Sequence, residues 1–115
     1  MAFDRAHDAA PGDPMPTVLA GELFLEKYNA PEAHASFKDV LTLNPSHPRA
    51  LLGEARALVF DGAPGSDALI EKALETNPRS VPARTLRAEI ALSSESYEIA
   101  FAEAERALEI GRAHV

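Results

Sequence analysis

Proline recurs at a nearly fixed interval along this 115-residue chain, and that interval limits the possible folds more than any other feature. Pro11, Pro45 and Pro78 lie 34 and then 33 residues apart, and Arg112 stands another 34 residues on. Two helix-forming stretches joined by a short turn lie between successive boundaries. A period in this range marks stacked helical hairpins, because one such unit cannot bury its own apolar face and needs a neighbour. The apolar residues keep the same step. Phe3, Ala6 and Pro11 are followed by Phe37, Val40 and Pro45, then Ile70, Ala73 and Pro78, and finally Ala104, Ala107 and Arg112. Residues 2–10 therefore read as the second helix of a hairpin whose first helix is missing, as expected of a segment from a longer array.

Local chemistry places the helix ends. Asp13 can cap the helix that Pro14 opens, because proline in the first turn loses no needed donor. Asn29 with Glu32 forms a capping pair, and Ser66-Asp67 and Ser96 with Glu98 offer the same combination of cap and first-turn acid. Asp61-Gly62-Ala63-Pro64-Gly65 is a strong break. The expected helices span 2–10, 14–28, 30–43, 48–60, 66–76, 82–93 and 97–110. No stretch alternates with period two for long enough to make a strand. The expected class is all-α: a right-handed superhelix of antiparallel hairpins with about seven helices in one domain. Residues 1–13 close a half repeat, and 14–47, 48–80 and 81–114 form three full ones.

Composition excludes several functions. There is no cysteine, hence no disulfide or thiolate metal site. No apolar run approaches the ~20 residues that span a bilayer, and Asp4, Arg5, His7 and Asp8 do not suit a signal peptide. A soluble chain is expected, the cytoplasm favoured over other compartments. The net charge is −7, and no cluster of lysine and arginine interleaved with aromatics occurs. Nucleic-acid affinity comes largely from neutralising phosphates, so no nucleic-acid partner is expected.

The residues at the repeat boundaries and helix contacts resemble the tetratricopeptide repeat, a 34-residue hairpin. That family prefers small residues where its two helices touch, a bulky residue in each helix, and a closing proline. Gly21, Phe24, Ala33, Phe37, Val40 and Pro45 occupy these sites in the first repeat. Ala55, Leu58, Ser66, Ile70, Ala73 and Pro78 match them in the second, where the turn between the helices has lost one residue. Ala88, Ala91, Tyr97, Ala100, Ala104 and Ala107 follow in the third. The pattern departs from the family at Thr17, Leu51 and Arg84, where an aromatic is usual, and at Glu54 and Arg87, where leucine is common. Ala91 and Ala104 fill bulky sites of the third repeat. Each missing large side chain forfeits roughly 1.5–3 kcal/mol of burial, so the third repeat is expected to be the weakest.

The resemblance implies a concave face lined by the first helix of each hairpin, taking an extended peptide or a helix. Its candidate lining residues are Val18, Glu22 and Leu25, then Leu52, Arg56 and Val59, then Thr85, Glu89 and Leu92. Each trio is spaced i, i+4, i+7 and so shares one helix stripe. A subset of the family clamps a C-terminal carboxylate with basic residues and asparagine. Val18, Glu22, Pro82 and Leu86 stand at four of those clamp positions here, so that ligand is excluded. Pentatricopeptide-type RNA binding has a similar period but fits neither the acidic balance nor the proline placement.

No catalytic, cofactor or metal site is expected. His7, His34, His47 and His114 sit in different elements and read as solvated surface residues. Ser93, Ser94 and Ser96 make a turn and a cap, and Asp61-Gly62 and Pro64-Gly65 form no phosphate loop. The expected function is a non-catalytic protein-interaction scaffold, with protein or peptide partners and no membrane insertion. The alternatives are a spacer section of a longer solenoid, or a regulatory domain attached to an enzyme or secretion apparatus. Phe101, Leu108 and Ile110 are expected to lie partly uncovered on the last helix, a face suited to self-association.

Overall fold

The computed structural model describes residues 12–113, and the expected helix over 2–10 lies outside them. Six helices follow in order: α1 (Met15–Glu26), α2 (Ala30–Leu43), α3 (Pro48–Asp61), α4 (Ser66–Thr76), α5 (Val81–Ser93) and α6 (Tyr97–Ala113). No strand occurs among the described residues.

The hairpin turns carry the repeat in their backbone hydrogen bonds. Asn29 N–H donates to Phe24 O at 2.8 Å, Ala63 N–H to Leu58 O at 2.9 Å, and Ser96 N–H to Ala91 O at 2.8 Å. These six-to-one bonds are Schellman closures, which need a left-handed residue just before the donor. Tyr28 (φ 59°), Gly62 (φ 68°) and Glu95 (φ 59°) fill that place. Only the second repeat supplies the glycine that this φ favours.

Caps follow the expectation in part. Asn29 Oδ1 accepts from Glu32 N–H at 3.5 Å, and Asp13 Oδ1 accepts from Met15 N–H at 3.0 Å. Ser66 is no cap: left-handed Gly65 precedes α4 with no side-chain bond. The residue lost from this turn, together with Pro64-Gly65, leaves α4 with 11 residues against 14 in α2. Two caps were missed, His47 Nδ1 accepting from Ala50 N–H at 3.3 Å and Ser80 Oγ accepting from Ala83 N–H at 3.2 Å.

Short turns make consecutive helices antiparallel neighbours. Each helix packs on the next, and in addition α1 touches α3 and α3 touches α5. The first helices of the hairpins thus form one continuous layer. The radius of gyration of 14.7 Å exceeds the ~13 Å of a compact 100-residue domain, as an open stack should.

Two apolar clusters run along the stack and meet at Leu41. The first holds Val18, Ala33, Phe37, Val40 and Ala50, and the second is built around Leu51, Ile70, Leu74 and Leu86. Phe37 is the key of the first. Its ring is completely buried between Gly21 of α1 and Gly53 of α3, both so close that an added Cβ would overlap it. In the third repeat the same position is Ala104, which is exposed. Its small side chain therefore leaves no hole inside the described core.

The polar departures from the apolar pattern are cross-links between helices. His34 on α2 lies between two carboxylates of α3, with Nδ1 against Glu54 Oε1 and Nε2 2.8 Å from Asp61 Oδ2. The expectation of a solvated His34 is corrected: the side chain is 19% exposed, because Glu54 and Asp61 of α3 hold it between them. His47 is a cap, and His7 and His114 lie outside the described residues. Arg84 Nη1 donates to Glu103 Oε2 at 3.1 Å and Nη2 to Pro78 O at 3.1 Å. Arg87 joins Glu71 of α4 and lies 4.0 Å from Glu103 of α6. Ion pairs thus stand where the pattern lacked leucines.

Candidate ligand groove

The layer formed by α1, α3 and α5 encloses a groove of about 910 Å³. α1 contributes Leu19, Glu22, Leu23, Leu25 and Glu26, while α3 adds Arg49, Leu52, Gly53 and Arg56 and α5 adds Pro82. Leu19 and Leu23, one turn apart, are 46% and 57% exposed. Four leucines, Leu19, Leu23, Leu25 and Leu52, share the lining with the charged Glu22, Glu26, Arg49 and Arg56.

Those charges are largely spent on one another. Glu22 of α1 accepts from Arg49 of α3 through two hydrogen bonds, 3.0 Å from Nε and 2.6 Å from Nη2. These bonds push the Arg49 pKa up from its ordinary value. Glu89 of α5 accepts from Arg56 of α3 at 3.2 Å. The two pairs form rungs across neighbouring first helices, seven residues apart on α3. Both are well exposed, so solvent screens them and neither adds much to stability. Glu26 makes no ion pair among the described residues and leaves the groove one uncommitted negative charge.

The groove contains four of the nine residues expected from the sequence, namely Glu22, Leu25, Leu52 and Arg56. Val59 and Glu89 line a smaller hollow of about 240 Å³ beyond Arg56, with Phe60, Leu86 and Ile90. Thr85 and Leu92 are exposed on α5 but line neither hollow. Val18 is fully buried against the Phe37 cluster and offers no surface to a ligand. Leu52 lines the floor yet is only 8% exposed, so it is core first. The exposed stripe of α1 is rotated one residue from the expected one, to Leu19, Glu22, Leu23 and Glu26. A signal for it was present. Apolar residues occupy 18, 19, 20, 23, 24 and 25, nearly all round α1, so burying one side leaves leucines on another.

Among the described residues no three His, Asp or Glu side chains converge as a metal ion would require, and no helix is long and apolar enough to cross a membrane. The sequence matches no family model, and no curated protein is similar enough to count as a relative. A solved structure does resemble this one. It is that of the MamA RS-1 ArsTM double mutant, a tetratricopeptide-type solenoid, with a TM-score of 0.77 at 17% identity. The fold is tetratricopeptide-type. The likeness covers 97% of this chain and 64% of the neighbour, so the chain spans less than two thirds of that protein's length. At this identity the comparison carries the fold alone. Within that fold the first helices of the hairpins, α1, α3 and α5, are the layer that lines the groove.

Proposed function

We propose that this chain is a non-catalytic protein-interaction module that holds an apolar helix or extended peptide of a partner protein in the α1–α3–α5 groove. The observation that carries this reading is the pair Leu19 and Leu23, exposed on a wall whose arginines are already paired with Glu22 and Glu89. Such a wall gains from covering leucine, at about 25 cal/mol per Å² of apolar surface removed from water. Its arginines are committed, so it has little to offer an acidic ligand. Glu26 favours a basic residue at that end of the partner segment.

Leu19→Glu with Leu23→Glu is therefore expected to weaken a purified partner segment at least 100-fold in calorimetric titration, as loss of paired anchors does. The thermal midpoint should move little, since both side chains are outside the core. Arg56→Glu with Leu52→Ala is a poorer probe, because Leu52 supports the second core cluster. Unchanged affinity in the Leu19/Leu23 variant would remove the groove as the ligand site.

A second reading, a section within a longer stack, is favoured by the outer face of α6. Tyr97, Phe101 and Leu108 are 63%, 68% and 55% exposed there. With Ala104 they form one stripe along the helix. Phe101, Ala104 and Leu108 stand at the repeat places of His34, Phe37 and Leu41, which α2 turns toward α3. Light scattering should show this chain self-associating as concentration rises, and Phe101→Ser with Leu108→Ser should abolish the effect. A monomer at every concentration would leave this face without a role in association.

A further inference from the structure

We infer that the His34–Glu54–Asp61 clamp makes the packing of the first hairpin on the second proton-dependent: closed when the imidazole is doubly protonated and loosened when it is neutral. The argument starts from hydrogen-bond chemistry. An ionised carboxylate only accepts, and a neutral imidazole carries a single N–H. Both ring nitrogens of His34 face carboxylate oxygens, Nδ1 toward Glu54 and Nε2 at 2.8 Å from Asp61. Only the imidazolium can donate to both. In the neutral ring one nitrogen lone pair confronts a carboxylate oxygen, and either Glu54 or Asp61 loses its donor.

The placement turns this into a device between repeats. The ring belongs to α2, whereas Glu54 and Asp61 stand seven residues apart on α3, on one face two turns from each other. Glu54 is 6% exposed, beside Leu51, Leu52 and Ala55 of the core. Water cannot readily replace a lost donor there. Among the described residues, Glu54 and Asp61 are the two charged groups that act on the ring, and none from α1 or from α2 itself does so.

Burial opposes the charge on His34, but the hydrogen bonds to Asp61 and Glu54, with their negative charges, outweigh it and raise its pKa above the ordinary 6.5. A raised folded-state value means that the clamp contributes fully below about pH 6.5 and is lost as pH rises through the folded pKa. Because α1, α2 and α3 meet at this junction, loosening it also shifts the α1 wall of the groove against the α3 wall. That consequence rests on the groove being the ligand site, whereas the clamp itself does not.

The test uses the full chain. Urea unfolding is followed from pH 5.5 to 9 in wild type and in His34→Gln, whose amide stays neutral. The wild-type unfolding constant should rise across this window, about tenfold for each unit by which the folded pKa exceeds that of the unfolded chain. The variant should lack this rise. Proton NMR of the wild type should show His34 titrating above 6.5. The native chain has no cysteine, so spin labels at Lys38→Cys on α2 and Lys72→Cys on α4 report the junction alone. Their distance distribution should broaden as His34 deprotonates, and in a His34→Gln background it should be independent of pH. The same pH slope in both chains, or a His34 titrating at or below 6.5, would overturn the inference. A silent Leu19/Leu23 variant alongside a pH-dependent distance would discard the groove and keep the clamp.

Discussion

Replacing Phe37 with alanine is expected to destabilise the chain by about 3–5 kcal/mol, a large share of the 5–15 kcal/mol that holds a domain together. The ring is completely buried and touches both the helix before it and the helix after it. Its loss opens one hole shared by two repeats. The complementary change is more discriminating. Alanine at Gly53 improves helix propensity by about 1 kcal/mol, yet its Cβ would overlap Cε1 and Cζ of the ring. Overpacking of this kind typically costs about 1–3 kcal/mol, so Gly53→Ala should be net destabilising although alanine is the better helix former. Phe37→Leu should soften that effect, giving a favourable coupling in a double-mutant cycle measured by urea unfolding. A stabilised Gly53→Ala chain would mean that the ring has room to move aside and that the slot is not tight.

The second large effect is expected at Arg84 and Glu103. Their side chains are 13% and 11% exposed, and Arg87 lies near the same carboxylate. Arg84 Nε has no hydrogen-bond partner, so the network already leaves one buried donor unsatisfied. Removing one member of a buried pair costs about 3–5 kcal/mol. Discounted for the remaining exposure, Glu103→Leu alone should cost about 2–3 kcal/mol by urea unfolding. Arg84→Met with Glu103→Leu should restore stability to within about 1 kcal/mol of wild type or exceed it, because apolar contact then replaces two desolvated charges. A neutral Glu103→Leu single variant would show that water reaches the pair. The third hairpin was expected to be weakest for want of large side chains at Ala91 and Ala104. Ala104 lies outside the described core and Ala91 is buried, and the ionic link between α5 and α6 falls within this same hairpin.

What the sequence determined by itself is the succession of elements. Helix limits depend on bonds that close within four or five residues, and the residues that stop a helix act over the same range. Pro48, Asn29, the break at 61–65 and the 34-residue step therefore placed α2 to α5 within a residue at either end, with α1 and α6 less closely bounded. Even there, Tyr28 and Glu95 were unreadable, because neither residue type announces a left-handed turn. Which side of each helix faces inward was decided by the tertiary structure. A rotation of one residue, about 100° around a helix, separates Val18 in the core from Leu19 on the groove wall. That rotation is set by how Phe37 seats between Gly21 and Gly53. The same holds for polar partners. His34 and Glu54 are 20 residues apart, Glu22 and Arg49 are 27, and Arg56 and Glu89 are 33. Such pairs leave no periodic trace, since each is made by stacking one hairpin on the next and by the local angle between them. The repeat dictated that a stack forms, and packing decided which charges cancel, which leucines stay open and which histidine is held between two acids.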